Sequence, residues 1–198
     1  FILANGALSA DGAEGAIRQK MIERGLVEAI VILPRNLFYS TDISVTLWIL
    51  NANKKARVVN RNGEEIHYRD REKEILFMDM RQMGKPFEKK YVRFTDEDIR
   101  KVADTYHNWQ REGHTETYAD VPEFCKSVSV DEEGGIADKG FSLVPSKYIE
   151  FVNCDEAVDY DTRMKELQTE LADILRQEAE SREAVLNVFK SLGYEIKL

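Results

Sequence analysis

Histidine and cysteine, the side chains that most often bind zinc or form Cys–His nucleophile pairs, are few in this 198-residue chain: His67, His107, His114, Cys125 and Cys154. The second and third histidines are seven residues apart, and no cysteine or carboxylate completes the spacing of a zinc site. The Gly-x-Ser-x-Gly elbow of serine hydrolases is absent. A Cys–His nucleophile pair stays open, although no pattern supports it. We therefore predict no metal and interpret the histidines as exposed or hydrogen-bonded side chains.

Two adjacent aromatic residues, Phe38 and Tyr39, offer a different chemistry, the stacking of rings. They lie in LPRNLFYST (33–41), a break between two apolar runs. Loops usually face water, so adjacent rings in a loop indicate a surface that stacks on another group. The alternative is that Phe38 fills the core beneath the loop.

A third group of residues is suited to contact with phosphates. Residues 53–74 are highly charged and contain an Asn62–Gly63 turn signal, which predicts a protruding, solvated ribbon. Its basic residues are candidates for phosphate contact. The alternative is an ordinary solvated hairpin of mixed charge. The candidates are Lys54, Lys55, Arg57 and Arg61, with Arg69 and Arg71 further along.

Composition bounds these hypotheses. The net charge of −8 argues against a general nucleic-acid binder, although a local basic surface stays open. The two cysteines suit a reducing cytoplasm, and no apolar run approaches the ~18 residues of a membrane span. The chain opens on FILAN without Met or a signal-peptide layout, so we expect it to be cut from a longer protein.

The elements around the aromatic loop follow an α/β order. Residues 1–5 predict a short buried strand, and residues 14–25 predict a helix that ends at Gly25. Residues 26–34 and 43–50 predict two apolar strands on either side of the loop. The loop is therefore expected to connect neighbouring strands.

The second half of the chain is predicted to be mixed. Residues 75–80 predict a strand, 81–94 a basic connector, and 114–150 an irregular region. A helix is expected to begin after Thr95, the N-cap, with Asp98 at the capping-box position. The acidic residues of TDEDI are explained as this helix start rather than as a paired-carboxylate site.

The tail, 155–192, predicts a long helix with a wide apolar stripe. Such a stripe needs a partner surface, which is either another chain or the helix's own domain. The stripe residues follow a heptad spacing that Glu178 and Ser181 interrupt. They are Met164, Leu167, Leu171, Ile174, Val185, Val188 and Leu192.

Read in order, several segments resemble one family. These are LANGALS, GAIRQKMIERGLVEAIVILPRNLFYSTDISVTLWIL, LFMDMRQMG, FTDEDIRKVADTYHNW, EFCKSVSVDEE and LVPSKYIEF. Together they resemble the modification (methylase) subunit of type I restriction–modification systems, which methylates the exocyclic amine of adenine in DNA with S-adenosylmethionine. The resemblance covers nearly the whole chain and is most specific from Gly15 to Leu50.

The resemblance implies that this chain is only the C-terminal portion of such a subunit. The family's Gly-rich cofactor motif and its Asn-Pro-Pro-aromatic catalytic motif lie upstream. All four prolines here, Pro34, Pro86, Pro122 and Pro145, are isolated. No catalytic or cofactor-binding residue is therefore expected in this chain, which should be inactive alone. S-adenosylmethionine is expected to bind the intact subunit.

The resemblance also implies a fold. Residues 1–52 would be the C-terminal part of a doubly wound, Rossmann-like sheet, with FILAN as a central strand. Residues 26–34 and 43–50 would be its final two strands, the last antiparallel. A mixed α+β extension (53–154) and an assembly helix region (155–198) would follow. The 33–41 loop would then reach the active-site rim, where Phe38, and second Tyr39, would form a wall of the target-base pocket.

Partners follow from the same resemblance. They are DNA, a specificity subunit, a second methylase subunit and the restriction subunit of the full complex, all in the cytoplasm and without a membrane. The tail stripe would contact the specificity subunit. Two other hypotheses stay open. One is a non-enzymatic module that binds a partner through the tail helix, and the other is a hydrolase or nuclease, for which no constellation is found.

Overall fold

The computed structural model describes residues 1–88, 90–151 and 160–193, in two compact units, Phe1–Val152 and Asn153–Leu198. The strands of the first unit are β1 (Ile2–Ala4), β2 (Val27–Ile32), β3 (Val45–Leu50), β4 (Arg57–Arg61), β5 (Glu64–Tyr68), β6 (Glu74–Asp79), β7 (Lys85–Phe87), β8 (Tyr91–Arg93) and β9 (Cys125–Ser129). Its α-helices are α1 (Gly12–Glu23), α2 (Asp96–Gln110) and α3 (His114–Thr117). The second unit contains α4 (Tyr160–Ser191).

A five-stranded mixed sheet organises the first unit, in the order β1-β3-β2-β6-β9. Strands β2 and β6 are parallel, whereas β3 is antiparallel to both β1 and β2. Strand β1 therefore runs in the same direction as β2 and β6. The carboxyl ends of these three strands meet at one edge of the sheet, which we call the carboxyl edge.

Three features of the predicted sheet are corrected. The strands at 26–34 and 43–50 do not complete it, because β6 and β9 continue it beyond β2. Strand β9 lies inside the region predicted to be irregular, and it pairs with β6 from Met78↔Cys125 to Glu74↔Ser129. Strand β1 lies at the edge of the described sheet and its three residues are exposed, so the prediction of a buried strand at 1–5 is wrong for the described residues. Its central position in the sheet of the intact subunit stays a prediction. The expected helix at 155–192 begins at Tyr160 as described, and 155–159 lie outside the described residues.

Helices cover both faces of the sheet, which is why β2 is buried along its whole length. On one face, Ile22 of α1 packs with Val27 and Ile30. On the other face, Trp109 of α2 packs with Ala29 and other residues of a second cluster. A strand buried on both faces requires a continuous apolar run, and VEAIVI meets this requirement except at its second residue.

The start of α2 confirms the predicted capping box. The Thr95 hydroxyl accepts a hydrogen bond from the Asp98 amide at 3.2 Å, and the Asp98 carboxylate accepts one from the Thr95 amide at 2.8 Å. The hydrogen bond from the Thr95 backbone lowers the pKa of Asp98. The helix start therefore accounts for the acidic cluster at 95–98.

A buried polar network lies at the opposite edge, where β2 and β6 begin. The Glu28 carboxylate accepts hydrogen bonds from Asn51 Nδ2 at 2.7 Å, Gln110 Nε2 at 2.9 Å and Arg71 Nε at 3.1 Å. Glu28 and Arg71 are each 1 % exposed. Burial acts to raise the pKa of Glu28, but these hydrogen bonds and the Arg71 charge lower it overall. Glu28 is therefore a buried anion that depends on its donors.

Candidate functional site

The loop that connects β2 and β3 emerges at the carboxyl edge. Two hydrogen bonds close its neck, from Leu33 N to Val45 O at 2.9 Å and from Ser44 Oγ to Leu33 O at 2.6 Å. Asn36 has a φ of 58°, in the left-handed region that asparagine tolerates better than most residues. Its carbonyl accepts a hydrogen bond from Val92 N at 3.0 Å. The loop is therefore anchored at its neck and to β8.

The two aromatic residues of the loop differ in their surroundings. Phe38 is half-buried and packs against the core cluster that contains Leu33 and Val45. Tyr39 is 70 % exposed, and its ring meets Tyr91 edge-to-face at 4.6 Å between centroids. A half-buried Phe38 is compatible with a pocket wall and with a core contact, so its role stays a prediction.

A cavity of about 570 Å³ opens beside the loop at the carboxyl edge. Its polar lining comes from the ends of three strands: Asn5 after β1, Arg35 and Asn36 after β2, and Arg81 and Gln82 after β6. In open α/β sheets, ligands bind outside the carboxyl ends of the strands. Pro34, Arg35 and Asn36 of the loop line this cavity, whereas Phe38 and Tyr39 do not. The loop and the cavity therefore adjoin in one candidate site, and the lining of the cavity carries positive charge.

Arg81 is held in place by the carboxylate at the end of β6. Its Nε donates to Asp79 Oδ1 at 3.0 Å, and its Nη2 donates to Asp79 Oδ2 at 2.6 Å. The Asp79 side chain is only 5 % exposed, whereas that of Arg81 is 42 % exposed. The hydrogen bond with Asp79 raises the pKa of Arg81. Arg81 therefore keeps its charge and a fixed orientation at the cavity.

The segment predicted as a basic connector forms a hairpin, β7–β8, which we call the 85–93 hairpin. Besides the Val92–Asn36 hydrogen bond and the Tyr91–Tyr39 ring contact, Lys90 Nζ pairs with Asp42 Oδ1 at 3.0 Å. This hairpin is the main feature that the sequence analysis missed. The signal that could have revealed it is the alternation of basic and aromatic residues in KPFEKKYVR.

The charged ribbon forms the β4–β5 hairpin, but the prediction of a phosphate contact is wrong for Lys54. This side chain is 2 % exposed, and its Nζ donates to Val27 O at 2.8 Å and to Glu74 O at 2.7 Å. Burial lowers its pKa to about 8. The charged local sequence predicts a solvated lysine, but hydrogen bonds to the two carbonyls stabilise the buried ammonium group.

The prediction is also wrong for Arg71, which is 1 % exposed and paired with Glu28. The Arg69 side chain is only 10 % exposed and is paired with Glu74. The remaining candidates reach solvent but lie away from the loop. Lys55 is exposed and lies 3.9 Å from Glu72, and Arg61 is exposed at the turn. Arg57 lies over the Tyr68 ring at 5.0 Å. Because Lys54 attaches the ribbon where β2 and β6 begin, the six-residue length of β2 puts roughly 20 Å between the ribbon base and the carboxyl edge.

Six of the seven tail residues lie on α4, and Leu192 directly follows its last residue. All seven expose an apolar side chain, between 40 % for Met164 and 65 % for Leu192. Ion pairs on the helix surface include Arg182–Glu178 at 2.6 Å. Their role as an interface stays a prediction.

In the part of the chain that the structure describes, no group of three or more histidine, cysteine, aspartate or glutamate side chains is arranged to hold a metal ion. Among the helices described, none combines the length and the apolar character that crossing a bilayer requires.

A mixed sheet with helices on both faces defines an α/β domain. More particularly, the chain belongs to the N-6 DNA Methylase family, whose profile matches residues 1–157. The predicted resemblance to methylase subunits is thereby confirmed.

Individual relatives agree with this assignment. The chain is 35 % identical over 197 residues to the type I restriction enzyme HindI methylase subunit of Haemophilus influenzae, covering 98 % of this chain and 40 % of that protein. It is 30 % identical over 194 residues to the MjaIX methylase subunit of Methanocaldococcus jannaschii, covering 98 % of this chain and 32 % of the relative. The chain thus spans less than half the length of these relatives.

A solved structure is similar in fold. The type I restriction-modification system methyltransferase subunit from Streptococcus thermophilus aligns with a TM-score of 0.55 and 25 % identity. The alignment covers 75 % of this chain and 26 % of that subunit.

Proposed function

We propose that this chain is the C-terminal portion of the modification subunit of a type I restriction–modification system, which transfers a methyl group from S-adenosylmethionine to adenine in DNA. The observation that carries the proposal is the match to methylase subunits along 98 % of the chain. In this proposal the described sheet is part of a doubly wound, Rossmann-like sheet completed by other residues of the subunit. The chain alone is inactive.

The role proposed for the carboxyl edge is to receive the target adenine. Enzymes that modify a base rotate it out of the duplex and hold it between apolar or aromatic groups. Phe38 supplies a ring for this contact, and Tyr39 lies at the outer rim beside Tyr91. A base–aromatic contact is worth roughly 1–3 kcal/mol per base. The anchored neck of the loop supports this role, because a fixed ring loses little entropy on binding.

The described residues do not fit S-adenosylmethionine. Its sulfonium is positive, whereas the carboxyl-edge cavity is lined by Arg35 and Arg81. Ribose hydroxyls are commonly held by an acidic side chain, but Asp79 is buried against Arg81. We therefore assign the methyl donor to residues of the subunit outside this chain.

The tail is proposed as the contact with partner subunits. An exposed apolar stripe on α4 supports packing against helices of a specificity subunit in a complex with a second methylase subunit and a restriction subunit. The alternative, a non-enzymatic module that acts through this helix alone, rests on the same exposure. It differs in predicting no role for the carboxyl edge.

Methyl transfer tests the proposal. The complete subunit, assembled with its partner subunits, is incubated with DNA and S-adenosylmethionine labelled in the methyl group. We expect label at N6 of adenine, and none with the 198-residue chain alone. Deletion of 160–193 from the complete subunit is expected to abolish assembly. Label on cytosine, or no label from the assembled complex, would contradict the proposed activity.

A further inference from the structure

We infer that the 85–93 hairpin, together with Arg35 and Arg81, contacts the DNA backbone beside the extruded adenine, and that the β4–β5 ribbon does not supply this contact. The inference rests on the proposed function and deepens it by assigning the DNA-binding surface.

The charges of this surface suit phosphates. Arg81 and Lys90 pair with Asp79 and Asp42, which fixes their positions. Among the described side chains, the remaining cations at this edge are Arg35, Lys85 and Arg93. Within the residues that the structure describes, none of these three has a carboxylate partner within 4.0 Å.

Three acidic groups also lie nearby, and the exposed Asp96 lines a cavity together with Lys85 and Arg93. Asp98 lies close enough to Lys85 for the lysine charge to help lower its pKa, but the capping box with Thr95 holds that carboxylate. Glu88 is exposed at the hairpin turn. The described part of this surface therefore carries carboxylates among its cations, and it presents Arg35, Lys85 and Arg93 to solvent on a chain whose net charge is −8.

Aromatic rings lie among these cations. Tyr39 and Phe87 are exposed, and Tyr91 is half-buried between them in a shallow cavity of about 320 Å³ that Arg93 also lines. Rings interleaved with basic side chains are the pattern by which proteins hold unstacked nucleic acid. Extrusion of a base leaves unstacked nucleotides next to the site, so this pattern belongs beside the pocket.

Position distinguishes the hairpin from the ribbon. The hairpin is joined to the base-pocket loop by the Val92–Asn36 hydrogen bond at 3.0 Å and the Lys90–Asp42 ion pair at 3.0 Å. The ribbon is joined to the far edge of the sheet through buried Lys54. The hairpin therefore makes the contact with the DNA backbone beside the target base.

Salt dependence of DNA binding tests the inference. The complete subunit, assembled with its partner subunits, is titrated with a fluorescently labelled duplex at several salt concentrations. Each lost phosphate contact lowers the slope of log K against log salt by about 1 in magnitude. We expect the double variant Lys85→Gln/Arg93→Gln to lose about 2 from this slope and to bind on the order of tenfold more weakly at physiological salt. The matched ribbon control, Lys55→Gln/Arg61→Gln, keeps the wild-type slope.

The outcomes separate this inference from the proposed function. A wild-type slope in the hairpin variant overturns the inference, even when the same preparation methylates adenine and the proposed function stands. Loss of subunit association with DNA affinity unchanged also overturns it, because the hairpin would then bind protein. If the double variant unfolds at a lower temperature than the wild type, the single variant Lys85→Gln replaces it. Its slope of log K against log salt is expected to fall by about 1 in magnitude.

Discussion

Replacement of Phe38 by alanine in the complete subunit lowers the rate of adenine methylation by about 5- to 150-fold, the equivalent of the ~1–3 kcal/mol that a base–aromatic contact contributes. The affinity for S-adenosylmethionine is expected to stay at the wild-type value, because we propose that the methyl donor binds residues of the subunit outside this chain. Single-turnover methylation with labelled donor measures the first quantity, and calorimetry measures the second.

Phe38→Leu separates the two roles of this ring. Leucine keeps most of the apolar packing against the core but removes the aromatic face. If Phe38 is a pocket wall, Phe38→Leu loses methylation while its melting temperature changes little, and Phe38→Tyr retains activity. If Phe38 only fills the core, Phe38→Leu methylates at the wild-type rate. That second result would reject the base-wall role.

Replacement of Glu28 by alanine has the largest expected effect on stability. Its carboxylate faces Arg71 at 3.1 Å in a site where both residues are 1 % exposed. Removal of one partner of a buried ion pair leaves an uncompensated charge and typically costs about 3–5 kcal/mol. Gln110 and Asn51 would also lose an acceptor. Urea unfolding of the 198-residue chain, followed by circular dichroism, measures the change in the free energy of unfolding.

A matched control comes from the same part of the chain. Glu72 is a half-exposed carboxylate 3.9 Å from Lys55, and exposed pairs contribute only about 0–1 kcal/mol. Glu72→Ala should therefore unfold close to the wild-type urea concentration. A Glu28→Ala variant as stable as Glu72→Ala would show that the buried network does not hold the ribbon base to the sheet.

Local pattern was sufficient for the elements whose signals are contained in a few residues. The capping box at Thr95 and Asp98 and the buried run of β2 are of this kind. Strand β9 lies in the region predicted to be irregular, because CKSVS is only weakly apolar. Its identity as a strand depends on pairing with β6, about fifty residues earlier in the chain.

Burial of charge was the least predictable property. Lys54 lies in a run of charged residues that indicates solvent, but the carbonyls of Val27 and Glu74 bind its ammonium. Glu28 interrupts a buried strand, and its donors come from residues 51, 71 and 110. Such partners are brought together only by the tertiary fold, which no local window contains.

The candidate site was predicted in part. Strand order alone placed the Phe38 loop between neighbouring strands, and family resemblance placed it at the rim of the active site. The hairpin that supports this loop was not predicted, because Asn36 and Val92 meet across 56 residues. Arg81 was passed over as part of a basic connector, although Asp79 aims it at the cavity.

The central claim is that the loop at the carboxyl edge holds the target adenine. Photocrosslinking tests it most directly: the target base of the methylated site is replaced by 5-iodouracil, the duplex is bound to the assembled complex and irradiated, and the crosslinked peptide is identified by mass spectrometry. We predict a crosslink at Phe38 or Tyr39. A crosslink confined to the β4–β5 ribbon would contradict the claim. So would the absence of a crosslink at 33–44 in a complex that methylates the unmodified duplex.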